Sequence, residues 1–207
     1  MIKNYFGDNS HPWATLKTSY LPGEYSFFAQ QVHGSNLKVV EKDDLIAKKV
    51  VVPEVDALVT KLKNVNLVLK TADCIPILFA DSKQGLIAAA HAGRQGVQAN
   101  ICQVVVRKML ELSAQLENII VEMGPAICDM HYQVSEDIQT EFEEATAVQQ
   151  LPGFIQLKKT IRIQLNTLGI TNKNILNNNI CTFENPNYFS YRFNRTKQRQ
   201  FSYIVRI

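Results

Sequence analysis

The stretch LIAAAHAGRQG, residues 86–96, decides how this chain folds. Its first five residues are apolar and mostly small, which predicts a buried β-strand. The apolar run ends at His91, and Gly93 and Gly96 follow within five residues. Glycine lets another part of the backbone approach closely because it has no Cβ. A side chain able to bind a metal therefore ends a buried strand at a point of close backbone approach.

Strands and helices alternate on both sides of this stretch, which predicts an α/β or α+β domain with a mixed sheet covered by helices. Strands are predicted at residues 36–42, 65–70, 75–81, 86–90 and 118–124, and helices at 96–112, 135–145 and 160–169. Ser135 is placed at a helix N-cap, and Gly169 is expected to close the last helix. NILNNNI (174–180) is interpreted as a loop, and residues 188–207 as a hairpin of two strands turning at NRTK (194–197).

Length and composition favour one large, soluble domain with its own core. The chain has 207 residues, of which 46% are apolar, and no stretch resembles a linker, so a single domain is expected. The formal charge of +3 is small and scattered, which argues against nucleic acid or a membrane surface as partner. Because no segment resembles a signal peptide or a membrane span, we expect a soluble, cytoplasmic protein. Its four cysteines, widely spaced and without a CxxC pair, are expected to be free thiols.

Three residues able to bind a metal stand at predicted strand ends: His33, Cys74 and His91. Strand ends are rigid and accessible, so side chains there can converge with fixed geometry. Two imidazoles and one thiolate are a normal zinc ligand set with an open fourth position, as in catalytic sites. A second set, Cys128 and His131 together with Cys181, could instead form a zinc site, and isolated His or Cys residues are also common in ordinary cores. The spacing does not choose between these interpretations.

An ordered set of motifs resembles the YfiH or peptidoglycan editing factor family, also called the multicopper polyphenol oxidase (laccase) family. The motifs are QVHG (31–34), DALVT (56–60), TADCIPILFAD (71–81), AAAHAGRQG (88–96), MGPAI (123–127) and FSYR (189–192). The resemblance implies that residues 1–207 form one YfiH-like α+β domain, a mixed β-sheet sandwich flanked by helices of the YfiH/CNF1-like type.

The same resemblance implies a purine nucleoside phosphorylase acting on adenosine, inosine and methylthioadenosine, with adenosine deaminase side activity. It implies zinc bound by His33, Cys74 and His91, which also form the catalytic centre, with copper as the weaker alternative. A multicopper oxidase would need more histidines than the four in this chain. The expected partners are therefore a purine nucleoside and phosphate.

Phosphate is expected to bind Arg94, Arg192 and the N-terminus of the helix after His91. Arg94 could equally be a solvated residue of a helix cap. Arg192 is predicted on a strand, on the same polar face as Ser190 and Asn194. Its guanidinium could bind phosphate through two parallel hydrogen bonds.

The chain departs from the family pattern in three places. HAGWRG is HAGRQG here, with Arg94 and Gln95 at the changed positions, and SYRR is SYRF, with Phe193. Only about thirty residues precede His33, fewer than the family carries, so a smaller pocket or a different specificity is expected. Loss of the guanidinium at Gln95 is expected to weaken phosphate use.

Two other functions remain open from the sequence. Cys74 could be the nucleophile of a cysteine hydrolase or amidase acting on peptidoglycan precursors, with His91 or His33 as base, since nucleophile and metal ligand both require a thiolate. The altered HAG motif also allows a non-catalytic binding protein that retains a metal site.

Overall fold

A computed structural model describes residues 1–10 and 18–207, and in these residues eleven strands form two mixed sheets. The first sheet has the order β1 (Ile2–Phe6), β11 (Gln200–Arg206), β6 (Val65–Thr71), β2 (Tyr25–Ala29) and β4 (Lys49–Val52). The second has the order β10 (Ile175–Asn177), β9 (Ile120–Met123), β7 (Ile75–Asp81), β8 (Leu86–Ala92), β5 (Ala57–Thr60) and β3 (Leu37–Val39). The α+β class and the mixed strand direction are confirmed.

The two sheets pack face to face, and the helices cover the outer face of the second sheet. One buried cluster joins Phe27, Leu67 and Ile204 of the first sheet to Leu78 and Ile87 of the second. A larger cluster joins the other face of the second sheet to the helices α1 (Arg94–Gln98), α2 (Ile101–Glu111), α3 (Glu136–Thr146) and α4 (Leu157–Thr167). The fold is therefore a sandwich of two sheets with a helical layer on one side.

The side-chain alternation of β8 decides where His91 points. Ala88, Ala90 and Ala92 belong to the cluster under the helices, whereas Ile87 and Ala89 belong to the cluster between the sheets. Successive side chains of a strand point to opposite faces, so His91 lies on the face of Ile87 and Ala89. Small alanines suit a strand that is buried on both faces, because they let the layers approach it closely.

The predicted helix at 96–112 is two helices. Asn100 separates α1 from α2 with a left-handed backbone (φ 51°), and its side chain accepts a hydrogen bond from the Gln103 amide at 3.3 Å. Asparagine tolerates this conformation and is a good N-cap, so it restarts the helix in a new direction.

The two later helices lie where they were predicted, and Gly169 ends the second of them with a φ of +96°. Ser135 is at the N-cap position, but its side chain makes no capping hydrogen bond.

The predicted C-terminal hairpin is wrong. Its second strand exists as β11, which pairs with β1 and β6, but its first half forms the one-turn helix α5 (Tyr191–Asn194). The Ser190 hydroxyl caps this helix by accepting from the Phe193 amide at 3.1 Å. Arg192 is therefore on a helix and not on a strand. The segment NILNNNI is also not wholly a loop, since Ile175–Asn177 form β10 beside β9.

None of the helices in the described ranges is long and apolar enough to cross a membrane.

Candidate metal centre

His33, Cys74 and His91 meet at one end of the sandwich, with ligand atoms all within 4.8 Å of one another. His33 is in the loop after β2, Cys74 is in the turn between β6 and β7, and His91 is near the end of β8. The two imidazole rings stand edge to face, with centroids 4.9 Å apart. These three residues, which the sequence predicted as ligands, could together hold a metal ion.

Gly93 makes this convergence possible. A Cβ at Gly93 would lie 3.0 Å from the Cys74 Sγ and 3.3 Å from the His33 Cδ2. A Cβ at Gly96 would lie 3.0 Å from the Gly34 carbonyl oxygen. The glycines after His91 therefore serve close approach, as predicted: Gly93 admits two ligand side chains, and Gly96 admits the loop that carries His33.

A buried carboxylate, Asp56, orients both histidines. Its Oδ1 lies 2.8 Å from the His91 Nδ1 and accepts from the His33 amide at 3.0 Å. Its Oδ2 accepts from the amides of Val32 at 3.2 Å and Gly34 at 2.8 Å. Because Nδ1 of His91 faces Asp56, Nε2 is the ring nitrogen left for a ligand. Such carboxylate partners fix the ring and raise the basicity of a metal-binding histidine.

Cys74 and His91 form a charged pair. Burial raises the pKa of the Cys74 thiol, but the charges and hydrogen bonds of His91 and His33 outweigh it and lower the pKa from 9.0 to about 6. Burial lowers the pKa of His91, but the negative charge of Cys74 and the hydrogen bond to Asp56 raise it from 6.5 to about 9. Cys74 is therefore a thiolate at neutral pH, the form that both metal binding and nucleophilic attack require.

Asp73, the neighbour of Cys74, ties three segments to the site. Its carboxylate accepts from the Thr182 hydroxyl at 2.8 Å and from the Arg192 amide at 2.6 Å. Its carbonyl oxygen accepts from the Ile127 amide at 3.0 Å. Asp73 and His33 both have left-handed backbones, with φ of 81° and 63°. Such a conformation is uncommon outside glycine and is maintained by surrounding contacts, often at functional sites.

The three candidate ligands line a pocket of about 850 Å³ whose wall is strongly basic. Among the described residues, one carboxylate, that of Asp73, lines it, against six cationic side chains: Lys70, Arg94, Arg192, Arg195, Lys197 and Arg199. Tyr132 and Tyr191 add aromatic surface. A pocket with this excess of positive charge suits an anionic ligand.

Arg94 and Arg192 both line the pocket but differ in how they are held. Arg94 donates to the Gln98 Oε1 at 2.8 Å and lies 3.6 Å from a carboxylate oxygen of Glu141. Arg192 donates from Nη1 to the Gln133 carbonyl oxygen at 2.7 Å, and its guanidinium lies 5.3 Å from the centre of the Tyr132 ring. The helix after His91 has only five residues, so its dipole adds little to anion binding.

The alternative cluster is also assembled. Cys128, His131 and Cys181 come together with Glu184, again with ligand atoms within 4.8 Å of one another. The sequence treated these residues as competitors of His33, Cys74 and His91, but the structure forms both groups.

Sequence reasoning missed the residues that support the ligands. Asp56 stood inside the quoted motif DALVT, and Asp73 directly preceded Cys74, yet neither was given a role. Tyr132, Tyr191 and the cations Arg195, Lys197 and Arg199 were also missed as pocket residues. The available signal for Asp56 was a carboxylate directly before a buried strand. Its hydrogen-bond partners are more than twenty residues away in the sequence, so the sequence pattern did not reveal its role.

The two-sheet sandwich is the fold of a YfiH-like protein. Residues 13–207 match the family described as "Multi-copper polyphenol oxidoreductase laccase". The structure is similar to that of the Bacillus licheniformis hypothetical protein YfiH, with a TM-score of 0.81 and 26% identity over 92% of this chain and 78% of that one. It is also similar to YlmD from Geobacillus stearothermophilus, with a TM-score of 0.79 and 30% identity over 91% of this chain and 77% of that one. The chain belongs to this family.

The names of relatives state two activities. "Purine nucleoside phosphorylase SCO2081" from Streptomyces coelicolor is 37% identical over 84% of this chain and 72% of its own length. "Adenosine deaminase RL5" from an unknown prokaryotic organism is 30% identical over 79% of this chain and 68% of its own length. Both names refer to reactions of purine nucleosides.

Replacing Asp56 by Asn should weaken metal binding by about tenfold to a hundredfold, the usual effect of removing a partner that orients a ligand. The amide of Asn has one oxygen, so it cannot accept from His91, His33 and Gly34 as both carboxylate oxygens do. Competition with a chromogenic chelator measures the affinity.

Asp81→Asn is the matched control. Asp81 is equally buried and accepts from the amides of Lys83, Gln84 and Gln115, but it ends β7 at the end opposite Cys74. Both variants should lower the melting temperature, and only Asp56→Asn should change metal affinity. Equal metal affinity in the two variants would contradict the orienting role of Asp56.

Proposed function

We propose that this protein is a zinc-dependent purine nucleoside phosphorylase acting on adenosine, inosine and methylthioadenosine, with adenosine deaminase as a side activity. The observation that carries the proposal is the basic pocket of about 850 Å³ that has His33, Cys74 and His91 in its wall. Relatives named as purine nucleoside phosphorylases support the choice of reaction.

The donor set fits zinc. Two imidazoles and a thiolate are soft and borderline ligands, which Zn²⁺ prefers over the oxygen ligands of Mg²⁺ or Ca²⁺. The space kept free by Gly93 brings the Cys74 sulfur and the His33 ring into contact distance. Zinc at this position would supply a Lewis acid that polarises an oxygen of the substrate or of water. Copper is the alternative, because two imidazoles and one thiolate can also bind a single copper ion, although three ligands do not make a multicopper centre.

The pocket has room and charge for a nucleoside together with phosphate. Hydrogen phosphate carries two negative charges, and six cations from the described part of the chain line the wall. Arg192 is the best-placed phosphate ligand, because it lines the pocket and its guanidinium is held by the Gln133 carbonyl and the Tyr132 ring. Arg94 shares its charge with Glu141 and is the weaker of the two. Tyr132 and Tyr191 add aromatic surface to the pocket, with Arg192 over the Tyr132 ring and Arg195 over the Tyr191 ring.

Phosphorolysis asks mainly for positioning and charge stabilisation. A phosphate oxygen forms a bond to the anomeric carbon of the ribose as the bond from that carbon to the purine nitrogen breaks. The purine leaves with the bonding electron pair and takes up a proton, so adenosine and hydrogen phosphate give adenine and ribose 1-phosphate. The sugar gains positive charge on the way, which a phosphate held by Arg192 and its neighbours stabilises.

One observation favours a second candidate, a cysteine hydrolase or amidase. Cys74 and His91 form a thiolate and imidazolium pair, and Asp56 holds His91. This is the arrangement of a cysteine nucleophile, the histidine that took its proton, and an orienting carboxylate. This candidate predicts a covalent acyl intermediate on Cys74 and no need for phosphate or metal.

Product analysis on adenosine with and without phosphate tests the proposal. Zinc-loaded protein should form adenine and ribose 1-phosphate when phosphate is supplied, and Cys74→Ala should lose this activity together with one equivalent of zinc per chain. Chromatography of the bases and metal analysis of the same samples give both readings. Relatives that keep HAGWRG should saturate at a lower phosphate concentration, because Gln95 replaces a cation here.

Three results would contradict the phosphorylase. Inosine and ammonia as the only products, formed without phosphate, would make the protein a deaminase. An acyl group trapped on Cys74 in metal-free protein would favour the hydrolase. Bound zinc with no turnover of any purine nucleoside would favour a non-catalytic binding protein.

Arg192→Lys should raise the KM for phosphate or nucleoside at least about tenfold, on the order of 1.4 kcal/mol of lost binding. Lysine can keep one hydrogen bond to the Gln133 carbonyl but has no planar group to lie on Tyr132 or to bind phosphate through two bonds. Initial rates over a range of phosphate concentrations measure the effect.

Arg107→Lys, on the exposed side of α2, is the control and should leave KM unchanged. Metal content and melting temperature should be unaffected in both variants. If KM and kcat are unchanged in a folded Arg192→Lys protein, Arg192 does not bind substrate, and Arg195 or Arg199 is the next candidate.

A further inference from the structure

The geometry points to a second metal site, a structural zinc bound by Cys128, His131, Cys181 and Glu184 on the back of the pocket wall. These residues belong to two segments, one after β9 and one after β10. In each segment two ligands are separated by two residues, Cys128 with His131 and Cys181 with Glu184. Two short ligand pairs brought together by the fold are the usual arrangement of structural zinc sites.

Three donor atoms surround one nitrogen of His131. Its Nδ1 lies 3.1 Å from the Cys128 Sγ, 3.7 Å from the Cys181 Sγ and 3.5 Å from the Glu184 Oε1. Zinc bonds of about 2.3 Å to sulfur and about 2.0 to 2.1 Å to nitrogen or oxygen place tetrahedral ligand atoms about 3.3 to 3.8 Å apart. The observed separations agree with this spacing within a few tenths of an ångström. A single ring nitrogen cannot form good hydrogen bonds to all three neighbours, whereas one cation among them can bind all four.

The surroundings of the cluster support a bound cation. The Cys128 amide donates to the Cys181 Sγ at 3.3 Å, which stabilises a thiolate. The His131 ring stacks on Phe183, with centroids 4.4 Å apart and planes 16° apart, and this contact fixes the direction of its nitrogens. Two thiolates and a carboxylate would give a zinc site one net negative charge. Lys158 lies close enough for the charges of both cysteines to act on it, and it can offset that charge.

The site has four protein ligands and therefore no open position, which is typical of structural and not catalytic zinc. A zinc ion bound here would stabilise the wall of the pocket. Ile127 and Tyr132 flank the first ligand pair and line the pocket. Thr182 follows Cys181 and donates to Asp73, the neighbour of Cys74. A metal here would hold the segments after β9 and β10 in place beside the first site, and it would not contact the substrate.

Metal analysis in a Cys74→Ala background separates this site from the first one. After zinc loading under a reductant and removal of free metal, Cys74→Ala should retain about one zinc per chain, and Cys74→Ala/Cys181→Ser should retain none. Cobalt loading should give the Cys74→Ala protein the visible absorption of tetrahedral cobalt with sulfur charge-transfer bands. The double variant Cys74→Ala/Cys102→Ala is the matched control and should keep its zinc, because Cys102 is buried in the core and away from both clusters.

Three results would overturn the second site: no zinc in Cys74→Ala, zinc retained after the loss of Cys181, or a disulfide between Cys128 and Cys181 in protein that takes up no metal after reduction. If the Cys181→Ser variant does not fold, Glu184→Gln in the Cys74→Ala background tests the second site instead. Glu184 is exposed, so this variant should fold and should bind zinc at least about tenfold more weakly. An unchanged zinc affinity would also overturn the four-ligand site.

Discussion

The arrangement of the first site depends on one buried carboxylate. Asp56 is fully inaccessible and accepts hydrogen bonds from His91 and from the backbone amides of Val32, His33 and Gly34. An unpaired charge would be very costly at this depth, so the loop after β2 must present its amides and His91 must turn Nδ1 toward it. Burial alone would raise the pKa of Asp56, but these hydrogen bonds lower it. The same interaction thus keeps a charge buried and positions two of the three candidate ligands.

The sheet supplies the other constraint. In β8, alternate residues pack under the helices and between the sheets, and the alternation places His91 toward the first sheet, where the loop after β2 arrives. Pro76 of β7 pairs with His91, so the turn holding Cys74 lies beside Gly93. The absence of a side chain at Gly93 then lets sulfur and imidazole meet. Strand register and one missing Cβ therefore fix the geometry before any ligand binds.

The sequence predicted what depends on local pattern. Apolar runs located the central strands, Gly169 marked a helix end, and the motifs indicated His33, Cys74 and His91, which lie together. It did not predict what depends on distant partners. Alternating aromatic residues made Arg192 look like part of a strand, but the Ser190 cap and the carboxylate of Asp73 form a helical turn there. The supporting role of Asp56 was hidden for the same reason, because its partners come from other parts of the chain.

Diffraction from crystals of zinc-loaded protein, measured at the zinc absorption edge, tests the central claim most directly. That claim is that Asp56 holds His91 so that its Nε2 and the Cys74 sulfur share one metal with His33. We expect an anomalous peak within bonding distance of these three side chains, with the His91 Nδ1 still hydrogen-bonded to Asp56. A zinc bound through Nδ1 of His91 with Asp56 displaced, or no zinc among the three side chains, would contradict it.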